Sequence, residues 1–472
     1  MKGRLLQNFS ANFLQLVLNQ IFGLIIFFVL SAYLNKIAFG QINLVLAILL
    51  AIFNLLTFGI DQLIIKKVAS GEDPTTLLAL YLFHVVISGA FFYLVLFMVY
   101  LFWGEKSALP QLLLLVGLGK LMIYWSTPFK QVACGFERFR LWSGMVVVSN
   151  VVRGLALLLL AVLHIVNIKT VILIFITGDA IELIFTIVLF RLKIKFPLKL
   201  QWNGKQYLSL INESIPQAGV VLFTSVLARF DWIFIGLFIS AIKLSEYSFA
   251  YKIFEISTLP LLAIAPLLLT RFTKIFQSEA SSGSKNLKDL LNIEIAVAIL
   301  TGLILYLIWT PIVDYITSGK YGAVNKNTIL ILVFCLPLLY INNFLWSIYF
   351  AKGELKMIFR VIALTVFVNV GADCILIPIF KNEGAALGYL LSMLAQFVYY
   401  HKENKLEQLN KTWTSLAIYL FCAIISAVIA LQLFSNYLFI SITAATLYLI
   451  FLFGSKQLKH KTIIAGINTL EQ

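Results

Sequence analysis

Long apolar runs alternate with short polar connections along the whole chain. Most runs are about twenty residues long, enough for a helix to span about 30 Å of hydrocarbon. The first run follows Lys2 and Arg4 as in a signal peptide, but it is too long for a signal-peptide core and lacks a small-residue cleavage site, so we expect it to stay in the mature protein. The pattern predicts an all-α polytopic membrane protein with about fourteen transmembrane helices, at residues 10–33, 41–64, 77–103, 108–128, 141–164, 168–190, 210–239, 245–269, 290–311, 327–349, 359–379, 384–401, 414–434 and 437–455.

Composition agrees with this class. The chain is 61% hydrophobic and 12% charged, with a mean hydropathy of +0.97, whereas a soluble domain carries roughly 25% charged residues. The basic residues are distributed unevenly: alternate connections, counted from the N-terminus, hold 25 Lys and Arg, and the other connections hold seven. This asymmetry predicts that both termini lie in the cytoplasm. The net charge of +15 then reflects topology and attraction to anionic membrane lipids, and no nucleic-acid partner is expected.

Enzyme chemistry is not indicated by the motifs. The sequence has no Walker-type phosphate loop, no HExxH and no paired CxxC, and its four histidines and four cysteines are scattered. The predicted non-cytoplasmic connections are too short to form a domain. The motifs therefore predict neither an enzyme nor a metal or cofactor site.

The chain carries signs of an internal duplication. FGQINLVLAI, from Phe39, follows the first span much as LSEYSFAYKI, from Leu244, follows the seventh. ACGFERFRLWSGMVVVSN and FAKGELKMIFRVIALTVFVN precede later spans about 218 residues apart, which aligns Gly135 with Gly353. Parallel repeats predict two six-helix lobes related by a pseudo-two-fold axis along the membrane normal. The predicted organisation is an N-terminal lobe at 1–190, a basic cytoplasmic linker at 191–209, a C-terminal lobe at 210–401, and two further helices with a cytoplasmic tail at 402–472.

Several segments, in order and spacing, carry a family resemblance. They are LNKIAFGQINLVLAILLAIFNLLTFGIDQLIIKKVAS, RFDWIFIGLFISAIKLSEYSFAYKIFE, LAIAPLLLTRF, SGKYGAVNKNTILILVF and AKGELKMIFRVIALTVFVNVGADCILIPIFKNEGAALGYLLS. Over residues 1 to about 455 the chain resembles the polysaccharide flippases of the multidrug/oligosaccharidyl-lipid/polysaccharide (MOP) exporter superfamily. The resemblance implies alternating-access transfer of an oligosaccharide linked to undecaprenyl pyrophosphate, such as an O-antigen, capsule or exopolysaccharide unit, from the cytoplasmic to the outer leaflet. It also implies a location in the bacterial cytoplasmic (inner) membrane and makes polysaccharide polymerases candidate partners.

Besides Lys169, Glu246 and Arg360, each the second residue of its span, twelve charged residues fall inside the predicted spans. Asp61, Glu213 and Glu294 lie near span ends, where water is expected to reach them. Nine lie deeper, and at about 2.5–3.5 kcal/mol each they would together cost on the order of 25 kcal/mol if they faced lipid. They must instead face one another or a cavity: Lys120, Arg153, Arg229 and Lys252 as cations, and Asp179, Glu182, Asp231, Glu255 and Asp373 as acids.

Four of these charges lie on either side of a predicted turn near residues 240–242. Asp231 is level with Lys252, and Arg229 with Glu255, which allows two pairs across the hairpin. These pairs either lock the hairpin or line a central cavity, where cations attract a pyrophosphate and acids bind a coupling proton or sodium ion. The sequence leaves both readings open.

The remaining five charges lie elsewhere. Lys120 and Arg153 could bind the same anion, but pairing with Asp179 and Glu182 is favoured. Asp373 either pairs across helices or binds an ion, and the sequence does not choose between these roles.

Three rival functions remain. A cation-coupled drug exporter of the same superfamily would favour an acidic or aromatic cavity. A membrane-embedded glycan polymerase or transferase would need larger external loops or a catalytic cluster. A lipid II flippase is closer, but the arginine-rich first helix of that family is missing here, where the first span carries only Asn and Gln as strongly polar residues.

Overall fold

Residues 2–104, 108–194, 202–277, 287–403, 409 and 412–455 are described by the structure, a computed structural model. Within these ranges the chain is helical and has no strands. The helices are α1 Lys2–Tyr33, α2 Lys36–Leu56, α3 Ile60–Ala69, α4 Pro74–Trp103, α5 Ala108–Gly135, α6 Phe139–Val162, α7 Ile168–Lys193, α8 Gly204–Phe234, α9 Ala241–Ser257, α10 Leu259–Gln277, α11 Leu287–Thr317, α12 Lys326–Ala351, α13 Leu355–Phe380, α14 Asn382–Glu403, α15 Thr412–Leu433 and α16 Tyr437–Gly454. The predicted all-α membrane fold is confirmed.

Twelve segments of the described chain are long and apolar enough to cross a membrane, against about fourteen predicted. The two missing spans are 245–269 and 384–401. The first is split at Thr258 into α9 and α10, next to Pro260 in the first turn of α10. The second corresponds to α14, which is a continuous helix but less apolar, because its last turn holds His401 and Lys402.

The predicted span 41–64 is also interrupted. It is broken between α2 and α3, where Phe58 and Gly59 have left-handed φ angles of 51° and 72°. A Cβ on Gly59 would lie 2.8 Å from the backbone nitrogen of Ala218 in α8. Only glycine fits both the backbone conformation and this close approach, and α8 accordingly packs against α2 and α3.

The chain divides into two compact units, Met1–Leu237 and Phe238–Gln472. The division comes after α8, and so later than the predicted linker at 191–209, because α8 packs on α2 and α3 of the first unit. Residues 195–201 of that linker and residues 456–472 of the predicted tail lie outside the described residues.

The duplication is visible in the turns that precede α6 and α13. Arg138 N donates to Ala133 O at 3.1 Å, and Glu354 N donates to Tyr349 O at 3.0 Å. The residue before each donor, Glu137 or Gly353, has a left-handed φ. By this turn geometry Glu137 corresponds to Gly353. The predicted match of Gly135 with Gly353 is therefore displaced by two residues, because the turn geometry and not residue identity defines the register of the repeat.

The three helices around each turn also pack alike. In the first unit α7 packs against both α5 and α6, and in the second α14 packs against both α12 and α13. We call α5, α6 and α7 the first trio, and α12, α13 and α14 the second trio.

Candidate functional site

The first trio carries a buried charge cluster of five side chains. Lys120 and Lys130 come from α5, Arg153 from α6, and Asp179 and Glu182 from α7. Asp179 is fully buried and Arg153, Glu182 and Lys130 nearly so, whereas the Lys120 side chain keeps 22% of its surface exposed. The cluster is therefore closed except at Lys120.

Asp179 is shared by two cations. One of its oxygens pairs with the Arg153 guanidinium, and the other lies 3.9 Å from the Lys120 ammonium. The Arg153 guanidinium carbon also lies 5.0 Å from the ring centroid of Phe175, close enough for a cation–π contact. The predicted pairing of Lys120 and Arg153 with an acid of this helix is present, and Asp179 is that acid.

Glu182 has a separate partner, Lys130, whose ammonium contacts Oε1. Asp179 and Glu182 are three residues apart on α7 and therefore share one face of that helix, so both acids point towards α5 and α6. Glu182 Oε2 is buried and has no hydrogen-bond partner among the residues that the structure describes. One carboxylate oxygen of the cluster is thus left available to a proton, a water molecule or a cation.

Glycines let the three helices approach closely enough for these pairs. A Cβ on Gly119 would lie 2.6 Å from Asp179 Oδ2, and a Cβ on Gly178 would lie 2.7 Å from Arg153 Cγ. Any larger residue would have to displace an ion-pair partner. The glycines are therefore part of the cluster's construction.

Lys130 is the member that sequence reasoning missed. It was assigned to a cytoplasmic connection at 129–140, but α5 continues through Pro128 to Gly135, and Lys130 is buried inside it. The sequence did contain a signal for it. The sixth predicted span has two deep acids, Asp179 and Glu182, and each needs a cation of its own. If Lys120 binds substrate, one more deep cation is required besides Arg153.

A cavity of about 340 Å³ lies beside the cluster, within the first unit. Its polar lining comes from α5, from α2 and α3, and from the break between them: Lys120, Asp61, Asn54, Thr57, Tyr124 and Thr127. Lys120 is thus the residue that belongs both to the buried charge cluster and to the cavity. An anion in this cavity would meet an ammonium group that is already desolvated on its other side.

Asp61 is the acid of the cavity wall. It accepts hydrogen bonds from Tyr81 and Gln131 and lies within electrostatic reach of Lys130. Asp61 is half-buried, and the expectation that water reaches it stays a prediction; the helix break turns its carboxylate towards α4 and α5.

The break itself is stabilised by side chains from other helices. The Leu56 carbonyl accepts hydrogen bonds from His84 Nε2 at 2.7 Å and Tyr124 OH at 2.8 Å. Since His84 donates through Nε2, its neutral ring accepts through Nδ1 from Tyr207 OH, at 2.9 Å. A backbone carbonyl freed inside a membrane protein needs such partners, and these hold the cavity wall in one conformation.

The four charges predicted around the hairpin turn have other contacts. Arg229 stacks on Trp232, with its guanidinium carbon 4.6 Å from the ring centroid, and donates to Ala228 O. Asp231 accepts from the Trp232 backbone at 2.8 Å. Lys252 pairs with Glu255, three residues on, at 2.7 Å. Arg229 and Asp231 belong to the first compact unit and the other two to the second, so the pairs across the turn stay predictions.

Three acids of the second unit are buried, and one of them, Glu246, pairs with Lys243 on the same helix. Asp373 on α13 is fully buried against Gly388 of α14, where a Cβ would overlap the carboxylate. Glu294 on α11 is 2% exposed, so the expectation that water reaches it is wrong. Among the described residues, no group of three or more His, Cys, Asp or Glu is placed to hold a metal ion.

A family model described as "Polysaccharide biosynthesis protein" matches residues 5–272, more than half of the chain. The chain belongs to this family. No curated protein matches the sequence. The matched part of this family member includes the whole first trio, the helix break and the cavity, as well as α8 and α9.

Solved structures share the fold of this polysaccharide biosynthesis protein at low identity. The lipid II flippase MurJ in an inward closed conformation is 15% identical with a TM-score of 0.73, and the match covers 96% of this chain and 100% of that one. An inward-facing multidrug resistance MATE family transporter of the MOP superfamily is 13% identical with a TM-score of 0.62, over 81% and 93%. A MOP superfamily transporter from Pyrococcus furiosus is 12% identical with a TM-score of 0.52, over 83% and 91%. The predicted family of polysaccharide biosynthesis proteins is confirmed, and the chain has the fold of MOP superfamily transporters.

Proposed function

We propose that this protein is a flippase that moves an oligosaccharide linked to polyprenyl pyrophosphate from the inner to the outer leaflet of the bacterial cytoplasmic membrane. The family match and the MOP fold support a flippase or exporter in general. The observation that carries the finer proposal is Lys120, a cation that lines a membrane-embedded cavity and is partly desolvated by the cluster behind it. A polymerase that consumes the flipped unit is the proposed functional partner.

The geometry suggests how an anionic head group is taken up and released. Lys120 is 3.9 Å from Asp179, longer than a direct hydrogen bond, whereas Arg153 is in direct contact with the same carboxylate. Lys120 can therefore turn to a pyrophosphate while Arg153 keeps Asp179 neutralised. When the anion leaves, Lys120 returns to Asp179 and shares it with Arg153, so Lys120 has an anionic group beside it in either state.

Ion coupling is proposed on the acids near this site. Asp61 lines the same cavity, and Glu182 has an oxygen without a hydrogen-bond partner in the described part of the chain. A proton or a sodium ion on either acid would weaken its hold on Lys130. Arg229 and Lys252 remain proposed phosphate-binding cations, and Asp231, Glu255 and Asp373 remain proposed coupling acids.

The drug-exporter alternative is disfavoured by the same cation, because Lys120 would repel a cationic drug from the cavity. The lipid II alternative rests on the fold shared with MurJ. Against it, the described side chains of α1 begin at Leu14 and provide Gln15, Asn19 and Gln20 rather than arginines.

The test is the amount of surface polysaccharide in cells whose own copy of this gene is deleted and replaced by variants. We expect Lys120→Ala to lower the polysaccharide about tenfold or more, since a hydrogen bond to a charged group contributes about 1.5–3 kcal/mol. Lys120→Arg should keep most of the export. Lys169→Ala removes an exposed lysine at the start of α7 and is the matched control.

Protein level in the membrane is measured for each variant, so that misfolding is separated from lost transport. Wild-type polysaccharide from Lys120→Ala at normal protein level would overturn the role of this cation. Rescue of a strain depleted of its lipid II flippase by the wild-type gene would instead favour lipid II as the substrate.

A further inference from the structure

A second cavity, separate from the proposed transport site, opens along α1, α6 and α7 of the first unit. Its volume is about 600 Å³, and its lining is mostly apolar. Leu14 and Leu18 of α1, Val148, Val151 and Val152 of α6, and Phe185 of α7 form the walls. Gly144 leaves the floor open, since a Cβ there would meet nothing within 4 Å. We call this cavity the lateral groove.

One end of the lateral groove is strongly basic. Arg140 is exposed and lines the groove. Arg138, two residues earlier, donates from its guanidinium to the Lys193 carbonyl at 3.3 Å, which brings the last turn of α7, with Arg191 and Lys193, to the same end. In the predicted orientation this end lies at the cytoplasmic surface, where anionic lipids are concentrated.

We propose that the lateral groove binds an anionic phospholipid of the cytoplasmic leaflet, with an acyl chain along the apolar walls and the phosphate at Arg140. Arginine suits a phosphate because its planar fork donates two hydrogen bonds to it. A basic site between membrane helices on the cytoplasmic side is the arrangement that selects anionic head groups. The groove is lined by α1, α6 and α7, and none of its lining residues belongs to the cavity at Lys120.

The bound lipid would act on the first trio. Val147 and Ser143, on the same groove wall, are buried, and α6 also carries Arg153 one to three turns further along. A lipid that fills the groove completes the packing of α1 against α6. The lipid is therefore expected to stabilise the folded protein as well as to bind it.

The test is native mass spectrometry of the full chain in detergent, titrated with phosphatidylglycerol or with phosphatidylethanolamine of the same acyl chains. We expect phosphatidylglycerol to be retained preferentially. Arg140→Gln should weaken its binding roughly fivefold, the equivalent of about 1 kcal/mol per basic residue near the membrane surface. Gly144→Leu places a side chain in the open floor and should abolish retention of either lipid at this site.

Two variants serve as controls. Arg360→Gln removes an exposed arginine of α13, also on the predicted cytoplasmic side, and Gly371→Leu fills open space on an exposed face of α13. Both should bind phosphatidylglycerol as the wild type does. Equal retention of the two phospholipids, or unchanged binding in Gly144→Leu with the protein folded, would overturn the proposal. Undecaprenyl phosphate that displaces phosphatidylglycerol from the wild type and from Arg360→Gln alike would overturn it too, by assigning the groove to the substrate's chain.

Discussion

The two trios of helices share their packing but not their chemistry. In the first trio, Lys120, Lys130, Arg153, Asp179 and Glu182 are charged and buried or nearly so. In the second, α12 has no charge after its first residue, and α14 has none between Glu383 and its C-terminal turn. The buried charge there is Asp373 of α13. One packing arrangement thus carries either a network of ion pairs or an interior in which Asp373 is the buried charge among the described residues.

The difference shows that the charges are not needed to make the fold. The second trio is held by apolar packing, for example of Met357, Val361, Met393 and Phe397, and by the close approach at Gly384 and Gly388. Replacing buried ion pairs by apolar residues is often neutral or stabilising. Stability alone therefore does not explain the cluster in the first trio, whereas a role of Lys120 in the cavity does.

Among variants that test this contrast between the two trios, Asp179→Ala is expected to lower the stability most. It leaves Arg153 buried without its acid, and breaking a buried pair on one side costs about 3–5 kcal/mol. Thermal melting of the purified protein in detergent should show a large fall in the melting temperature. Glu72→Ala, which removes a half-exposed partner of Lys67, should change it little. If the two variants melted alike, the cluster would not hold the first trio together.

A smaller effect is expected from adding one methyl group at the glycines that face the two buried aspartates. Gly119→Ala would press on Asp179, and Gly388→Ala on Asp373, so each should destabilise by about 1–3 kcal/mol. Gly23→Ala, in α1, meets nothing within 4 Å and should be neutral or slightly stabilising. In both trios, then, a glycine is needed where the neighbouring helix brings an aspartate close. If Gly388→Ala were as stable as the wild type, this requirement would hold only in the first trio.

The smallest effect is expected from Glu294→Gln in the second unit. Both carboxylate oxygens of Glu294 are buried, and neither has a hydrogen-bond partner within the described ranges. Removing the ionisable group therefore breaks no ion pair there, and we expect a change below about 1 kcal/mol, or a gain in stability. Melting measured beside Asp179→Asn checks this, since that variant should be clearly destabilised. A comparable loss from both would show that Glu294 has a partner of its own.

Much of the candidate site could be predicted because deep charges in an apolar chain must find partners. That argument led to Lys120, Arg153, Asp179 and Glu182, and the structure brings all four into one trio. It did not reach Lys130, since hydropathy indicates a helix end at Pro128 while packing carries α5 on to Gly135. It also treated Asp61 as peripheral, because the run that contains it is continuous in hydropathy although its backbone is broken at Phe58 and Gly59.

The sequence by itself determined the class of protein, the approximate number of helices and the presence of charges that lipid cannot accommodate. These properties depend on local length and hydropathy, which neighbouring residues define. Only the tertiary structure decided which acid meets which cation, because partners such as Lys130 and Glu182 are 52 residues apart. It also decided that the Leu56 carbonyl is satisfied by His84 and Tyr124, and hence that a helix break, a cavity and Lys120 come together in one place.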